Sequence, residues 1–217
     1  MKLENFQDKI TQILSDTDAN YQYWDSLTST DEDYMLHSPI PVGYNTTKEQ
    51  HYLFQNLLVG FNPALSILDI GCGRADLCNF IDSFYGQPAP YHGVDHNPVM
   101  SDLANKKYGY DVITGAFETT TLPNADWVVA SGIFTQRRCE TEDKDLQKLF
   151  KDIERLYELA NSVVAFNLLC PINNKHHEGF FYVHPGLIMD MLIEKYRFVN
   201  VRHNYSNDVY TVTIYKF

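Results

Sequence analysis

The stretch Ser66-Ile67-Leu68-Asp69-Ile70-Gly71-Cys72-Gly73-Arg74-Ala75 decides the fold of this 217-residue chain. Its short apolar run, closed by glycines, is typical of a buried parallel strand. Gly71 and Gly73 then let the backbone turn sharply and leave it bare. From Arg74 to Tyr85, apolar residues recur at spacings of three and four, which predicts a helix. Strand, glycine turn and helix form a nucleotide-cofactor cradle, because the helix N-terminus offers N–H groups to a ligand.

Two carboxylates refine this interpretation. Asp69 lies in the predicted strand and suits a ligand with a positively charged part better than a pyrophosphate. Asp95 ends the next predicted strand, where it can accept hydrogen bonds from two ribose hydroxyls. The third glycine of the dinucleotide fingerprint is missing, which disfavours an NAD-type oxidoreductase or a flavoprotein.

Ile67 to Gly73, followed by Gly93-Val94-Asp95, resembles the class I S-adenosylmethionine-dependent methyltransferases, and the resemblance covers roughly residues 46–217. It implies an α/β fold with a doubly wound, seven-stranded, mostly parallel sheet of order 3-2-1-4-5-7-6 and helices on both faces. It also implies S-adenosylmethionine as methyl donor and S-adenosylhomocysteine as product. Methyl transfer to a small-molecule acceptor is the main hypothesis. A non-catalytic S-adenosylmethionine-binding structural or regulatory protein is the alternative.

The resemblance also assigns cofactor contacts. In this family an acid directly after the glycine of the third loop contacts the adenine, but Ala116 stands there, so the role passes to Glu118 or to the backbone. A plain turn is the alternative for this loop. The cofactor contacts expected are Asp69, Gly71, Cys72 and Gly73 at the methionine end, Asp95 and His96 at the ribose, Phe117 and Glu118 at the adenine, Ser131 near the transferable methyl, and Gln50 from the preceding helix. A solvated helix face is the alternative for Gln50.

The catalytic residues are not identified by the sequence. A hydroxyl acceptor would call for a general base, for which His184 and His176 are weak candidates. His176, His177 and Glu178 are consecutive, so their side chains diverge and we expect no metal site. The amino-methyltransferase signature, Asn or Asp followed by Pro-Pro-Tyr or Pro-Pro-Phe, is absent, which argues against methylation of a base or a glutamine amide by that route.

Composition narrows the class of protein. The length suits one α/β domain, and no run of about 18 apolar residues is present, so no membrane span is expected. The first residues lack the apolar core of a signal peptide, which favours a cytoplasmic protein. The net charge of −11 disfavours a nucleic-acid substrate relative to a small molecule. Oligomeric state and the identity of the acceptor stay open.

Residues 1–45 precede the cradle and are predicted to form a helical N-terminal segment. Apolar residues between Leu3 and Leu14 keep helical spacing, and an acidic, turn-rich stretch runs from Asp25 to Pro41. The segment either covers a substrate pocket as a lid or packs its aromatic residues onto the domain. Further along, Asn167 is a polar residue in an apolar strand, and it reaches either the substrate pocket or neighbouring backbone.

Overall fold

A single seven-stranded sheet organises the computed structural model, which describes residues 29, 31–172 and 177–216. Its strands are β1 (Ile67–Ile70), β2 (Tyr91–Asp95), β3 (Val112–Thr114), β4 (Ala125–Ala130), β5 (Ala160–Leu169), β6 (Val199–Arg202) and β7 (Val209–Tyr215). Their order is β3-β2-β1-β4-β5-β7-β6. Strands β1 to β5 are parallel, and β7 runs antiparallel between β5 and β6. The predicted fold class and sheet order are confirmed.

Helices cover both faces of this sheet. In the described residues they are α1 (Glu32–His37), a 3-10 turn (Ile40–Val42), α2 (Thr47–Leu57), α3 (Asp76–Tyr85), α4 (Pro98–Tyr108), α5 (Glu142–Leu159) and α6 (Pro185–Lys195). One core packs α5 and α6 against one face, and a second packs α2 and α3 against the other. The doubly wound arrangement therefore follows from strands that are apolar on both sides.

Local sequence explains most helix ends. Thr46 caps α2 by accepting the Glu49 N–H at 3.1 Å, and Glu49 in turn accepts the Asn45 N–H at 3.1 Å. The helix predicted from Arg74 begins two residues later, at Asp76, because Ala75 adopts a left-handed conformation with φ of 61°. The sequence from Tyr110 to Thr114 also predicts a strand, of which the structure forms only Val112–Thr114. The N-terminal helix predicted between Leu3 and Leu14 lies outside the described residues.

The carboxyl ends of four parallel strands position the candidate site. Because β3, β2, β1 and β4 are neighbours, the loops that follow them meet along one edge of the sheet. We call this the carboxyl edge. Neighbouring strands lie about 4.8 Å apart, so three intervals span roughly 14 Å. An extended ligand can therefore contact all four loops.

Candidate functional site

The loop between β1 and α3 has the form that the glycines predict. Gly71 and Gly73 have φ of 67° and 54°, and the Gly71 N–H donates to the Val94 carbonyl at 2.9 Å. A Cβ on Gly71 would lie 2.2 Å from Cγ2 of Ile133. A Cβ on Gly73 would lie 3.1 Å from Cγ1 of Val42. No larger residue fits at Gly71, because its conformation and its surroundings both exclude a side chain.

Asp95 joins this loop to the one that follows β2. Its Oδ2 accepts the Gly73 N–H at 2.8 Å, and its Oδ1 accepts the Asn97 N–H at 2.9 Å. His96 Nδ1 lies 3.6 Å from Asp95 Oδ1. The structure thus brings the acid predicted to hold a ribose directly against the glycine turn.

Asp69 and Cys72, also predicted as cofactor contacts, are buried in the loop. Asp69 accepts a hydrogen bond from the Tyr91 hydroxyl at 2.8 Å. Burial raises the pKa of Asp69 to about 7, an effect that the Tyr91 bond reduces and the charges of Asp95 and Asp76 increase. The Cys72 thiol packs against Gly93, where an added Cβ would lie 2.8 Å from its sulfur. Burial also raises the pKa of Cys72 well above its ordinary value, so the thiol stays protonated.

Asp76, at the start of α3, accepts four side-chain hydrogen bonds, a role that the sequence did not predict. It accepts hydrogen bonds at Oδ2 from Gln50 Nε2 (3.1 Å) and Arg74 Nε (2.9 Å), and at Oδ1 from Lys107 Nζ (3.0 Å) and the Tyr108 hydroxyl (2.9 Å). Burial would raise the pKa of Asp76, but the charges of Arg74 and then Lys107 outweigh it and hold this pKa below its usual value. Arg74 also donates to the carbonyl of Met35 in α1. Gln50 therefore lies against Asp76, and its predicted contact with a cofactor stays a prediction.

The loops after β2 and β3 hold two unpartnered polar atoms. Glu118 Oε1 accepts a hydrogen bond from Lys148 at 3.0 Å, whereas its buried Oε2 has no partner among the described residues. Asn97 caps α4 through Oδ1, which accepts the Val99 N–H at 2.9 Å, and its buried Nδ2 likewise lacks a described partner. Phe117 is half-buried and packs against the core under α5. Asparagine is a favoured N-cap residue, but the sequence gives no signal for the spare amide donor of Asn97.

Ser131 follows β4 and contacts a residue that sequence reasoning did not single out. Its Oγ lies 2.7 Å from the hydroxyl of Tyr44 and accepts a hydrogen bond from Asn167 Nδ2 at 3.2 Å. Asn167 therefore bonds neighbouring side chains rather than backbone at this contact. Tyr44 is buried, and burial raises its pKa. A lone tyrosine in a turn-rich segment carries no sequence signal for this contact.

The two histidines considered as general bases are placed differently. His184 is exposed and caps α6, with its Nδ1 accepting the Gly186 N–H at 3.1 Å. It follows Val183, whose N–H donates to the Leu169 carbonyl at the end of β5. His176 lies outside the described residues. A role for either in catalysis stays a prediction.

The described residues contain neither a cluster of metal ligands nor a membrane-spanning helix. Between residues 31 and 172 and between 177 and 216, no three His, Cys, Asp or Glu side chains gather as a metal site would require. Among the helices listed above, none is long and apolar enough to cross a membrane.

The sheet order, the single reversed strand and the glycine loop at the carboxyl edge define the class I methyltransferase fold. Residues 67–158 match the family model described as a methyltransferase domain. The fold and this match together make the chain similar to the class I S-adenosylmethionine-dependent methyltransferases.

Solved structures with the same fold are distant in sequence. Magnesium protoporphyrin IX methyltransferase from Synechocystis PCC 6803, with bound S-adenosylmethionine, is 15% identical at a TM-score of 0.63, covering 93% of this chain and 98% of that one. Human N-acetylserotonin methyltransferase is 14% identical at 0.61, over 92% of this chain and 58% of that one. The plantazolicin methyltransferase BpumL, in complex with S-adenosylhomocysteine, is 14% identical at a TM-score of 0.58, covering 97% of this chain and 99% of that one. No curated protein matches the sequence significantly.

Proposed function

We propose that this protein binds S-adenosylmethionine at the carboxyl edge and transfers its methyl group to a small-molecule acceptor. The observation that carries the proposal is the joined pair of loops after β1 and β2, in which Asp95 holds the Gly73 N–H at 2.8 Å. This arrangement leaves bare backbone beside a carboxylate, as an adenosyl ligand requires.

The polar atoms along the edge fit the parts of this cofactor in order. After β3, the unpartnered Oε2 of Glu118 suits an adenine amino group. After β2, Asp95 suits the ribose hydroxyls, with His96 and the spare Nδ2 of Asn97 beside it. After β1 and β4, the glycine turn and Ser131 would contact the amino-acid end of the cofactor.

When bound, the cofactor supplies an electrophilic sulfonium methyl, which a lone pair of the acceptor can displace in line. The chain's own contribution is mainly positioning, because holding two reactants at attack distance removes much of the entropic barrier. Val42 and Ile133 lie over Gly73 and Gly71 and so cover the loop against water. We propose that residues 31–44 cover the bound cofactor.

A small molecule is the acceptor class that the known relatives favour. The porphyrin and N-acetylserotonin enzymes take their names from small-molecule acceptors. The net charge of −11 also opposes binding to the phosphate backbone of a nucleic acid.

The test is calorimetric titration with S-adenosylmethionine and S-adenosylhomocysteine, on wild type and Asp95→Ala. Loss of hydrogen bonds from ribose to a charged acceptor costs about 2–4 kcal/mol, so we expect the variant to bind at least about tenfold more weakly. Because Asp95 also accepts two backbone N–H groups, a thermal melt of each protein checks the fold.

Glu118→Gln gives a milder second variant with a matched ligand. We expect it to lose affinity for S-adenosylhomocysteine but not for S-inosylhomocysteine, in which a carbonyl replaces the adenine amino group. A wild-type protein that binds neither S-adenosylmethionine nor its product would refute the proposal. Release of labelled methyl into the small-molecule fraction of a cell extract then separates turnover from binding alone.

A further inference from the structure

A continuous chain of hydrogen-bonded side chains crosses the carboxyl ends of β4 and β5 and the amino end of the antiparallel β7. We call it the polar chain, and its members are Tyr44, Ser131, Asn167, Thr211 and Tyr205. The contacts are 2.7 Å from Tyr44 to Ser131, 3.2 Å from Ser131 to Asn167, 2.9 Å from Asn167 to Thr211 and 2.7 Å from Thr211 to Tyr205. Asn167 and Thr211 are paired in register and almost fully buried. Such polar groups persist in a core only when they are satisfied.

The donors of the polar chain follow one direction. Thr211 gives its single hydroxyl proton to Asn167 Oδ1, so Tyr205 must donate to Thr211. Asn167 Nδ2 then donates to Ser131. If the direction continues, Ser131 donates to Tyr44, since bonds aligned head to tail strengthen one another. The Tyr44 hydroxyl proton then has no acceptor among the hydrogen bonds of the described residues.

This proton lies beside the glycine turn. Ala130 pairs with Ile70 in register, so Ser131 and Gly71 follow neighbouring strand ends. Tyr44 stands two residues after Val42, which covers Gly73. Burial raises the pKa of Tyr44, so its hydroxyl remains a donor near neutral pH.

We propose that Tyr44, oriented by the polar chain, donates a hydrogen bond to the carboxylate at the amino-acid end of S-adenosylmethionine. The inference rests on the proposed function, which places adenine at β3 and ribose at β2 and so brings the amino-acid end to β1 and β4. Asp95 ends β2, on the opposite side of β1 from β4, and its charge disfavours a carboxylate there. The carboxylate of the cofactor therefore belongs at the β4 side, where Tyr44 supplies the donor and Ser131 holds Tyr44 in place.

The experiment compares two ligands on Tyr44→Phe and Ser131→Ala. S-adenosylhomocysteine has the carboxylate, whereas 5′-methylthioadenosine keeps the adenosine and sulfur but lacks the amino acid. For Tyr44→Phe we expect affinity for S-adenosylhomocysteine to fall about tenfold to hundredfold, because a bond to a charged group is lost. Affinity for methylthioadenosine should stay within about twofold of wild type. Ser131→Ala should show the same pattern with a smaller loss, because it removes support and not the donor itself.

Tyr85→Phe is the matched control, because its hydroxyl only approaches the Leu58 carbonyl, at 3.4 Å, outside the polar chain. Equal losses for both ligands, or no loss for S-adenosylhomocysteine, would overturn the proposal. A loss in Ser131→Ala without one in Tyr44→Phe would also overturn it. If wild type binds methylthioadenosine but Tyr44→Phe behaves as wild type, only this inference fails. If wild type binds neither ligand, the proposed function fails first and the inference falls with it.

Discussion

The glycine loop has a strand end and a helix start, and each carries a buried carboxylate whose pKa shifts in the opposite direction. At the strand end, Asp69 has the Tyr91 hydroxyl as a neutral partner, and burial raises its pKa to about 7. At the helix start, Asp76 accepts four hydrogen bonds, two of them from cationic groups, and its pKa is lowered. Burial alone does not decide the charge of an acid; the number and charge of its donors do.

The largest effect on stability is expected from a substitution of Asp76, at the helix start. Asp76→Asn leaves the guanidinium of Arg74, which is 2% exposed, buried without its ion-pair partner. Breaking a buried pair by removing one partner costs about 3–5 kcal/mol, so we expect a loss of that size in the free energy of unfolding. Urea denaturation at pH 7 measures it.

Asp102→Asn is the control for this prediction, because Asp102 is an exposed acid on α4. We expect it to change stability by less than about 0.5 kcal/mol. Because the pKa of Asp76 is lowered by folding, its stabilisation is present above the pKa of the unfolded chain and is lost as pH falls. If Asp76→Asn lost no more stability than the control, the ion pairs of Asp76 would not stabilise the fold as proposed.

A substitution of Asp69, at the strand end, should change stability less than one of Asp76. The contribution of Asp69 to stability also depends on pH in the opposite direction. Folding raises the pKa of Asp69 from 3.8 to about 7, so the folded protein retains a proton that the unfolded chain has lost. Stability contributed by this group therefore falls as pH rises from about 4 to 7. Asp69→Asn removes this dependence and still accepts the Tyr91 hydroxyl. Between pH 5 and pH 8 we expect the variant to gain about 2–3 kcal/mol relative to wild type.

Denaturation curves for both proteins across this pH range measure the gain. All other titrating groups are common to the two proteins and cancel in the difference. Parallel stability curves would show that Asp69 is ionised in the folded state throughout, and the contrast with Asp76 would disappear.

Sequence patterns predicted the architecture well because strands and helices here are defined by apolar periodicity. Glu142 to Leu159 is an amphipathic helix whose buried residues recur at helical spacing, and the sheet has the predicted order. The glycine turn and Asp95 were also found from spacing, and the structure brings them into contact.

What the sequence did not reveal are contacts between residues far apart in the chain. The Tyr44–Ser131 bond spans 87 positions, and Asp76 gathers donors from α2 and α4. No local pattern marks such pairs, because each partner alone is an ordinary polar residue. Backbone conformation is equally hidden, and the helix was predicted two residues too early because Ala75 gives no sign of its positive φ.

Ala75 lies in the turn between Asp69 and Asp76, and its substitution should have the smallest effect on stability. Its left-handed conformation costs an L-residue about 1–2 kcal/mol, which glycine would avoid. Its methyl is fully buried against Cys78 and Ala104, and removing that methyl costs about 0.8 kcal/mol. Glycine also gives the unfolded chain more freedom, at a cost of about 0.4–1 kcal/mol. These terms nearly cancel, so Ala75→Gly should change the free energy of unfolding by less than about 1 kcal/mol. Ala104→Gly, which removes a buried methyl inside α4 without relieving strain, is the matched variant and should lose more. Equal losses in the two would mean that the turn between Asp69 and Asp76 carries no strain that glycine could relieve.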